Sequence, residues 1–371
     1  YSPGTAHAGA LRILDLYATI KANSPETELH LLTHYRPQID GDLAQVYEVF
    51  DEVFLSPVDV LSPEVLMSMT GENHFEYDVV DIQFHHAAKL RKAYKPYCRR
   101  LLYTPMESLA RSVYISLRQR TLPLKNGGLK RYAADLALAA EELRFCQEID
   151  IIVCVSRTDA QFLRYLTRRR EVTYLETGIS TLEFSEALST DFSCSDIINK
   201  PKTIVYVAYF GSQTNIDALK WYLDEVHSRV ATAVPGYKLK VIGRGDLSIF
   251  RNCNYDAVDF VGEVDAIAPH ISDAKVGIAP ALTGAGFRGK INQYAICGLP
   301  CVATKLAVTG LKYKNDEVRA TNDPILFADF CIELLTNNEV NQRMAVKARD
   351  ICLANYTWQS KWASIAQIYE L

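Results

Sequence analysis

The chain has 371 residues, of which 49% are hydrophobic and 23% charged, and its formal net charge is −4 at pH 7. This length exceeds what one hydrophobic core usually serves, so we expect two domains of about 150 to 200 residues each. The composition excludes a disordered chain. The slightly acidic balance argues against a protein that binds nucleic acid, because such proteins gather an excess of lysine and arginine.

No apolar run approaches the roughly 18 residues that a membrane-spanning helix needs. Residues 1–20 also lack the basic and apolar regions of a signal peptide. Nine cysteines occur without a CxxC pair, which favours reduced thiols in the core over disulfides or a zinc site. We therefore expect a cytoplasmic protein.

In the first half, β-rich apolar runs alternate with segments of helical periodicity. The predicted strands there are residues 29–35, 46–55, 77–84, 100–104, 149–156 and 172–175. The second half continues the alternation. Its predicted strands are residues 203–210, 238–243, 258–261, 275–280 and 299–304. This pattern is typical of parallel α/β sheets that helices cover on both faces.

Residues 178–201 are rich in Ser, Asp, Thr and Asn, as in a linker between two compact domains. We predict an α/β protein with two doubly wound, Rossmann-like domains over residues 1–185 and 200–355, followed by a final helix over residues 356–371. Ligands of such sheets bind at the carboxyl ends of the strands. The predicted site is therefore the cleft between the domains.

One stretch, LTGAGFRGKINQYAICGLP, follows a predicted strand and contains the start of a predicted helix over residues 289–297. Gly284 and Gly286 would let the backbone approach a ligand, and a helix start offers N–H groups and a positive dipole end to an anion. Arg288 and Lys290 add two cationic side chains at the same place. The pattern favours a phosphate site. The plainer alternative is a glycine loop before an ordinary helix with solvated cations.

From residue 258 the sequence reads VDFVGEVDAIAPHISDAKVGIAPALTGAGFRGKINQYAICGLPCVATKLAVTGL. It contains F-x-G-x-V, a strand that ends in proline, then G-x-G-x-R-x-K and G-x-P. The residues in this pattern are Phe260, Gly262, Val264, Pro280, Gly284, Gly286, Arg288, Lys290, Gly298 and Pro300. In this order they resemble the donor-binding half of GT-B glycosyltransferases, specifically the retaining family four (glycosyl transferases group 1). VYVAYFGSQTNIDALKWYLDEV, upstream, extends the resemblance.

The resemblance implies the GT-B fold, in which an acceptor-binding domain and a donor-binding domain face each other across a cleft and a C-terminal helix crosses back to the first domain. It implies a glycosyltransferase of the EC 2.4 class that moves a hexosyl or deoxyhexosyl group from a nucleotide-sugar donor. The expected acceptor is a glycan or a lipid-linked molecule in polysaccharide or glycoconjugate biosynthesis. Retention of anomeric configuration and no metal or other cofactor are expected.

The resemblance also implies roles for single residues. Arg288 and Lys290 would neutralise the diphosphate as the nucleotide leaves, and Gln293 would contact the ribose. The expected donor-binding residues are Gly9, Gly211, Asn215, Glu263, Val264, Gly284, Ala285, Gly286 and Gln293. Two of them depart from the family pattern: Gln293 stands where a carboxylate is usual, and Ala285 where many members have a glutamate.

In the first domain, two residues follow predicted strands and are candidate catalytic residues. His85 follows the strand over residues 77–84, where the fold often places a histidine near the donor sugar. Glu107 follows the strand over residues 100–104 and would bind the acceptor or act as a base. The alternatives are an exposed loop histidine and a helix N-terminal glutamate favoured by the dipole.

A basic and aromatic cluster occurs between residues 89 and 100. Its members are Lys89, Arg91, Lys92, Tyr94, Lys95, Tyr97, Arg99 and Arg100. It would hold an anionic lipid-linked acceptor at the inner face of a membrane, or else form a solvated helix face. Gly9 belongs to a family glycine loop that normally follows a strand, so we also expect further polypeptide upstream.

Two other functions stay open. A noncatalytic GT-B domain could bind glycan or scaffold a neighbouring domain, which Gln293 and the loose resemblance of the first half allow. A nucleotide-sugar epimerase could use the same architecture. The fold alone does not decide among these functions.

Overall fold

The structure is a computed structural model, and it describes residues 8–35, 43–56, 61–71, 75–118, 128–189, 200–251 and 255–371. The chain divides into two compact units. The first unit comprises Tyr1–Gly178, Ala285–Phe287 and Trp358–Leu371, and the second comprises Ile179–Gly284 and Arg288–Thr357.

The elements alternate between helix and strand along both units. The helices are α1 (Ala8–Asn23), α2 (Ala44–Val49), α3 (Pro63–Thr70), α4 (Arg91–Tyr94), α5 (Leu109–Arg118), α6 (Gly128–Glu148), α7 (Arg157–Thr167), α8 (Ser185–Ser189), α9 (Gln213–Tyr222), α10 (Ser228–Ala233), α11 (Ser248–Arg251), α12 (Ala268–Ser272), α13 (Gly289–Ile296), α14 (Lys305–Val308), α15 (Pro324–Thr336), α16 (Asn338–Asn355) and α17 (Trp362–Tyr369). The strands are β1 (His30–His34), β2 (Glu52–Ser56), β3 (Tyr77–Gln83), β4 (Cys98–Thr104), β5 (Ile151–Cys154), β6 (Val172–Tyr174), β7 (Thr203–Val207), β8 (Lys238–Ile242), β9 (Val258–Gly262), β10 (Val276–Ala279), β11 (Cys301–Ala303) and β12 (Val318–Ala320). The 3₁₀ turns are Ala87–Leu90, Lys95–Tyr97 and Gln359–Lys361.

In the first unit, the described strands form two parallel sheets. One sheet pairs β1 with β2, and the other has the order β3-β4-β5-β6. The predicted strand over residues 46–55 is wrong in its first half, which forms α2. Val46 and Phe50, four residues apart, are both buried, and this helical spacing brings them to the same side of the segment, in the core.

Successive side chains of the central strand β4 lie on opposite faces of the sheet. Leu101 packs in one hydrophobic cluster and Leu102 in another, as expected for a strand covered on both faces. The cluster that contains Leu102 also includes Trp358, Ile365 and Ile368. The C-terminal helix α17 is therefore part of the first unit, which confirms the predicted return of the chain.

The second unit has one six-stranded parallel sheet with the order β12-β11-β10-β7-β8-β9. All five strands predicted for the second half are present. Among the described strands of this unit, only β12 was not predicted. Every residue of the central strands β7 and β10 is buried, as in a sheet with helices on both faces. After β7 the chain forms α9 and α10, which are joined by a π-helical turn, Leu223–His227.

The predicted linker over residues 178–201 contains the short helix α8, and residues 190–199 lie outside the described part of the chain. The α/β class and the parallel sheets agree with the fold class predicted from the sequence.

Candidate functional site

Most of the predicted catalytic and donor-binding residues belong to the second unit and follow the carboxyl ends of its strands. They are Gly211, Asn215, Glu263, Val264, Gly284, Arg288, Lys290 and Gln293. Because all six strands run parallel, these carboxyl ends meet at one edge of the sheet. The topology thus brings together residues that are up to 82 positions apart in sequence (211 to 293).

The loop between β10 and α13 depends on glycine at position 284. Gly284 has a φ of +91°, and a Cβ there would lie 3.1 Å from Arg288 Nη2 and 3.2 Å from Thr214 Cγ2. The Arg288 guanidinium folds back on the same loop and donates from Nη2 to the carbonyl of Thr283 at 3.1 Å. The loop is therefore held tightly against the start of α13.

Helix α13 begins without a side-chain cap. Its N-cap residue, Arg288, makes no capping hydrogen bond to the first turn. In contrast, Thr304 caps α14 by accepting a hydrogen bond from the amide of Ala307. The first-turn amides and the positive dipole end of α13 are thus arranged as an anion site would need them.

Lys290, in the first turn of α13, has neutral neighbours and one like charge. Its Nζ lies 3.5 Å from Asn215 Oδ1 and 4.4 Å from the centre of the Tyr206 ring. Burial, reinforced by the positive charge of Arg288, lowers the pKa of Lys290 to about 7, and the Cys301 thiol opposes this only in part. Among the described residues, the titratable groups that act on Lys290 are Arg288 and Cys301, and neither is a carboxylate. An anion at this position would supply the missing counter-charge.

The segment between β7 and α9 places Asn215 beside Lys290. The Asn215 side chain donates from Nδ2 to the carbonyl of Tyr209 at 2.9 Å, which leaves its Oδ1 toward Lys290. Gly211 is exposed, and a Cβ there would lie 2.3 Å from the Tyr209 ring. A side chain at Gly211 would therefore displace Tyr209 and disturb the contact that orients Asn215.

Glu263 and Val264 follow β9 at the same edge. Glu263 is exposed and lies 3.8 Å from Arg244 Nε, which is also exposed. Arg244 was not among the predicted site residues, although it lies between Gly243 and Gly245 directly after the predicted strand over residues 238–243. The two glycines around it were the available signal for a shaped turn at a strand end, and both have positive φ in the structure.

Gln293 lies one turn after Lys290 on α13. It is partly exposed, whereas Asn292 and Tyr294 beside it are buried. Its side chain is thus on the accessible side of the helix. A carboxamide there could accept a hydrogen bond through its oxygen and donate through its nitrogen.

Five of the predicted site residues belong to the first unit. They are Gly9, His85, Glu107, Ala285 and Gly286. Gly9 is buried in the first turn of α1. The expectation that Gly9 lies in a glycine loop is therefore wrong for this residue, because the helix already includes it; residues 1–7 lie outside the described part.

His85 follows β3 as predicted, but both of its ring nitrogens have protein partners. Nε2 lies 3.0 Å from Glu141 Oε2, and Nδ1 lies 3.4 Å from the Tyr103 hydroxyl. The ring also packs against Phe145 at a centroid distance of 5.1 Å. These contacts tie His85 to α6 and β4, which is what a structural histidine would do.

Glu107 is exposed and lies two residues before α5. A Cβ at Gly286 would be 3.1 Å from Glu107 Cβ, so the two predicted site residues are close neighbours in the first unit. Gly286 has a φ of +80°, and its amide donates to Asp159 Oδ2 at 3.0 Å. Ala285, beside it, is buried.

A buried acidic group near Glu107 escaped the sequence analysis. Glu142 is fully buried and accepts hydrogen bonds from Ser108 Oγ at 3.0 Å and from the amides of Leu109 and Ala110 at 3.2 and 2.9 Å. Burial raises the pKa of Glu142 to about 7, although these hydrogen bonds oppose the shift. Glu142 thus closes the N-terminus of α5. Nothing in the pattern of α6 distinguished it from a surface glutamate.

The six cations of the basic cluster are all in ion pairs within the first unit. The pairs are Lys89–Glu141, Arg91–Glu148, Lys92–Glu148, Lys95–Asp150, Arg99–Asp78, Arg99–Glu370 and Arg100–Glu370. Tyr94 is buried and donates to the carbonyl of Leu61 at 2.6 Å. The described geometry therefore agrees with a paired helix and strand surface more than with a surface reserved for an anionic ligand.

In the described residues, no cluster of three or more His, Cys, Asp or Glu side chains could hold a metal ion. The helices in that part of the chain are also too short or too polar to cross a membrane.

Comparisons with known proteins agree with this architecture. Residues 201–337 match the family model of glycosyl transferases group 1. No curated protein sequence matches the chain.

Several solved structures share the fold. HepE from Anabaena, in complex with UDP-glucose, has a TM-score of 0.67 and 15% identity over 99% of this chain and 97% of HepE. Sucrose-phosphate synthase from Thermosynechococcus elongatus has a TM-score of 0.71 and 15% identity over 99% of this chain and 94% of the synthase. TarM has a TM-score of 0.60 and 12% identity over 79% of this chain, which spans only 55% of TarM. The chain has the GT-B fold that these structures share, and its residues 201–337 match the glycosyl transferases group 1 model.

Proposed function

We propose that this GT-B protein, with its glycosyl transferases group 1 region over residues 201–337, transfers a sugar from a nucleotide-sugar to a glycan or lipid-linked acceptor with retention of configuration. The observation that carries the proposal is the environment of Lys290. This lysine stands at an uncapped helix start, beside Arg288, without a carboxylate partner among the described residues. A diphosphate would complete the site.

In this proposal the two cations stabilise the leaving group. As the glycosidic bond breaks, negative charge grows on the terminal phosphate of the nucleoside diphosphate. Arg288 would bind two phosphate oxygens through its planar guanidinium, and Lys290 would act as a point charge. Such preorganised groups are the largest single contribution to many enzymatic rate accelerations. Because they supply the positive charge, we propose that the reaction needs no metal ion.

The donor that we would test first carries UDP, since HepE is described in complex with UDP-glucose. Gln293 would contact the ribose, and Glu263 and Val264 would border the base. Gly211, Asn215 and the glycine arm, Gly284–Gly286, are the other proposed donor contacts. The transferred group would be a hexosyl or deoxyhexosyl unit.

A direct test is to measure the melting temperature with UDP, GDP, dTDP and ADP, with and without EDTA. At 100 times its dissociation constant, a ligand stabilises the folded state by about 2.7 kcal/mol. Lys290→Ala should abolish the shift and lower kcat for donor hydrolysis or transfer by about 100- to 1,000-fold. Lys220→Ala, which removes an exposed lysine of α9, is the matched control. No shift with any of the four nucleotides would contradict the proposal.

His85 and Glu107 stay candidate contributors from the first unit. His85→Asn and Glu107→Gln separate a catalytic from a structural role. A catalytic residue would lower kcat at unchanged stability, whereas the contacts of His85 with Glu141 and Tyr103 predict lower stability at unchanged kcat if its role is structural.

For the acceptor, a contact with an anionic membrane would have to break the ion pairs of the basic cluster or use other cations. Binding to vesicles with and without anionic lipid measures this. Glycan binding without turnover of any donor would instead favour the noncatalytic alternative, which the amide of Gln293 keeps open.

A further inference from the structure

Tyr206 is an unusual residue for its position. It is the fourth residue of β7, which has the sequence TIVYV and is completely buried. At such positions in parallel sheets, aliphatic side chains are usual. Its ring nevertheless lies under a charged group, with the centre 4.4 Å from Lys290 Nζ.

Two further contacts fix the orientation of the Tyr206 side chain. Its hydroxyl donates to the carbonyl of Asn215 at 3.1 Å, and its ring meets Phe210 in an edge-to-face contact at 6.1 Å. Asn215 is also the residue whose Oδ1 faces Lys290. One tyrosine thus connects β7, the first turn of α9 and the first turn of α13.

An aromatic ring can hold the Lys290 ammonium without adding a net charge to the site, whereas a carboxylate would add a negative charge. The negative face of the ring attracts Nζ by about 0.5 to 2 kcal/mol, but it carries no net charge. A carboxylate would hold Lys290 more strongly and would also repel a phosphate. The ring and the side-chain oxygen Oδ1 of Asn215 can therefore place Nζ while its positive charge stays available to a ligand.

We propose that Tyr206 is a positioning residue of the donor site, whose ring face holds the Lys290 ammonium where the diphosphate binds. This proposal rests on the proposed function for its ligand, but the contact itself exists in the ligand-free protein. The two can therefore be tested separately.

The first experiment compares UDP binding to Tyr206→Leu and Tyr206→Phe by calorimetry. Tyr206→Leu removes the ring and should weaken UDP binding about five- to tenfold. Tyr206→Phe keeps the ring and loses only the hydroxyl, so its affinity should stay within about twofold. Equal losses in both variants, or no loss in Tyr206→Leu, would overturn the proposal.

A second series of variants at position 206 changes the charge distribution of the ring and keeps its shape in the core. Phenylalanine with one, two or three ring fluorines at position 206 weakens the negative face stepwise, and the UDP affinity should fall stepwise with it. The readout in the ligand-free protein is the titration of Lys290, followed through the ¹³Cε resonance of labelled lysine. Its midpoint should move to lower pH with each fluorine, since the charged form loses stabilisation.

These measurements distinguish the two hypotheses. If UDP, GDP, dTDP and ADP all fail to bind the wild-type protein, the proposed function fails, while the titration still decides whether the ring stabilises the ammonium. An unchanged midpoint across the fluorinated series would overturn the positioning role even if UDP binds.

Discussion

The hydroxyl of Tyr294 on α13 accepts a hydrogen bond from the backbone amide of Val207 at 3.1 Å. It also donates to the carbonyl of Ile278 at 3.2 Å. One buried side chain thus joins α13 to the ends of β7 and β10. The ring lies against Gly277, where a Cβ would be 2.4 Å from it, which explains a glycine inside a central strand.

From this contact we expect Tyr294→Phe to destabilise the second unit by about 1 to 3 kcal/mol, since the amide of Val207 would be buried without a partner. Urea denaturation measures the loss. Tyr165→Phe, which alters an exposed tyrosine of the first unit, is the control. A loss below about 0.5 kcal/mol would mean that water or a local shift replaces the bond.

Substituting Gly284 by alanine should affect both folding and ligand binding. Its φ of +91° disfavours a side chain by about 1 to 2 kcal/mol, and the added Cβ would press on Arg288 and Thr214. Gly236 is a matched control, because its φ is +78° but a Cβ added there would meet nothing within 4 Å. Gly236→Ala should lose similar stability and bind UDP normally, whereas Gly284→Ala should bind UDP at least tenfold more weakly. Equal binding by both variants would argue against the loop as a ligand contact.

Nucleotide binding should take up a proton above pH 7. In the ligand-free protein, Lys290 has a pKa lowered to about 7, so at pH 8 it is mostly neutral. A bound diphosphate favours the ammonium and raises this pKa, so binding at pH 8 should take up close to one proton, and affinity should fall as pH rises through 7. Calorimetry in Tris and in HEPES measures the uptake. Lys290→Met should abolish it; uptake that persists in this variant would assign the proton to another group.

The same shift also has a stability consequence in the ligand-free protein. Between pH 7 and the unfolded value of 10.5, the unfolded chain holds the Lys290 proton more tightly than the folded chain does. The contribution of Lys290 to the free energy of unfolding should therefore rise with pH across this window, and Lys290→Met should remove that rise.

Glu142 should make stability depend on pH in the opposite direction. Its pKa rises from 4.5 to about 7 on folding, so the folded state holds the proton more tightly. This contribution to stability is complete below pH 4.5 and is lost as pH rises through 7, with a total on the order of 3 kcal/mol. Compared with Glu142→Gln, the wild-type protein should lose stability between pH 4.5 and 8. Parallel pH profiles would show that Glu142 ionises normally in the fold.

Gln293→Glu should tighten UDP binding if Gln293 contacts the ribose. A carboxylate accepts hydrogen bonds from hydroxyl groups more strongly than an amide does, and we expect about a fivefold lower KM for the donor. Gln293→Leu should raise the KM instead. If both variants keep the wild-type KM, the side chain does not reach the donor.

The strands and the helix that begins the site were predictable because their patterns are strong and local. Long apolar runs such as residues 203–207, which form β7, permit few other structures, and α13 has a glycine-rich start and a clear apolar stripe. The predicted positions of Arg288 and Lys290 at the start of this helix are confirmed; their role in donor binding stays a proposal.

Other features depended on tertiary packing and were not predictable. Residues 46–55 are rich in strand-forming side chains, yet the burial of Val46 and Phe50 selects a helix for the first part. The strand β12 is Val-Arg-Ala, and its central arginine leaves no apolar run that would indicate a buried strand. In the sequence, Tyr206 is indistinguishable from an ordinary core residue. Only the structure shows that the Lys290 ammonium lies over its ring.

The neighbourhood of Lys290 has a practical consequence for handling the protein. If Lys290 and Arg288 bind a diphosphate as proposed, other small oxyanions should compete for the same position. Purification in phosphate, sulfate or citrate should therefore fill the position in advance and mask weak nucleotide binding, whereas chloride salts of amine buffers should leave it vacant. The anions of the purification and dialysis buffers should therefore be controlled for every affinity measured on this chain.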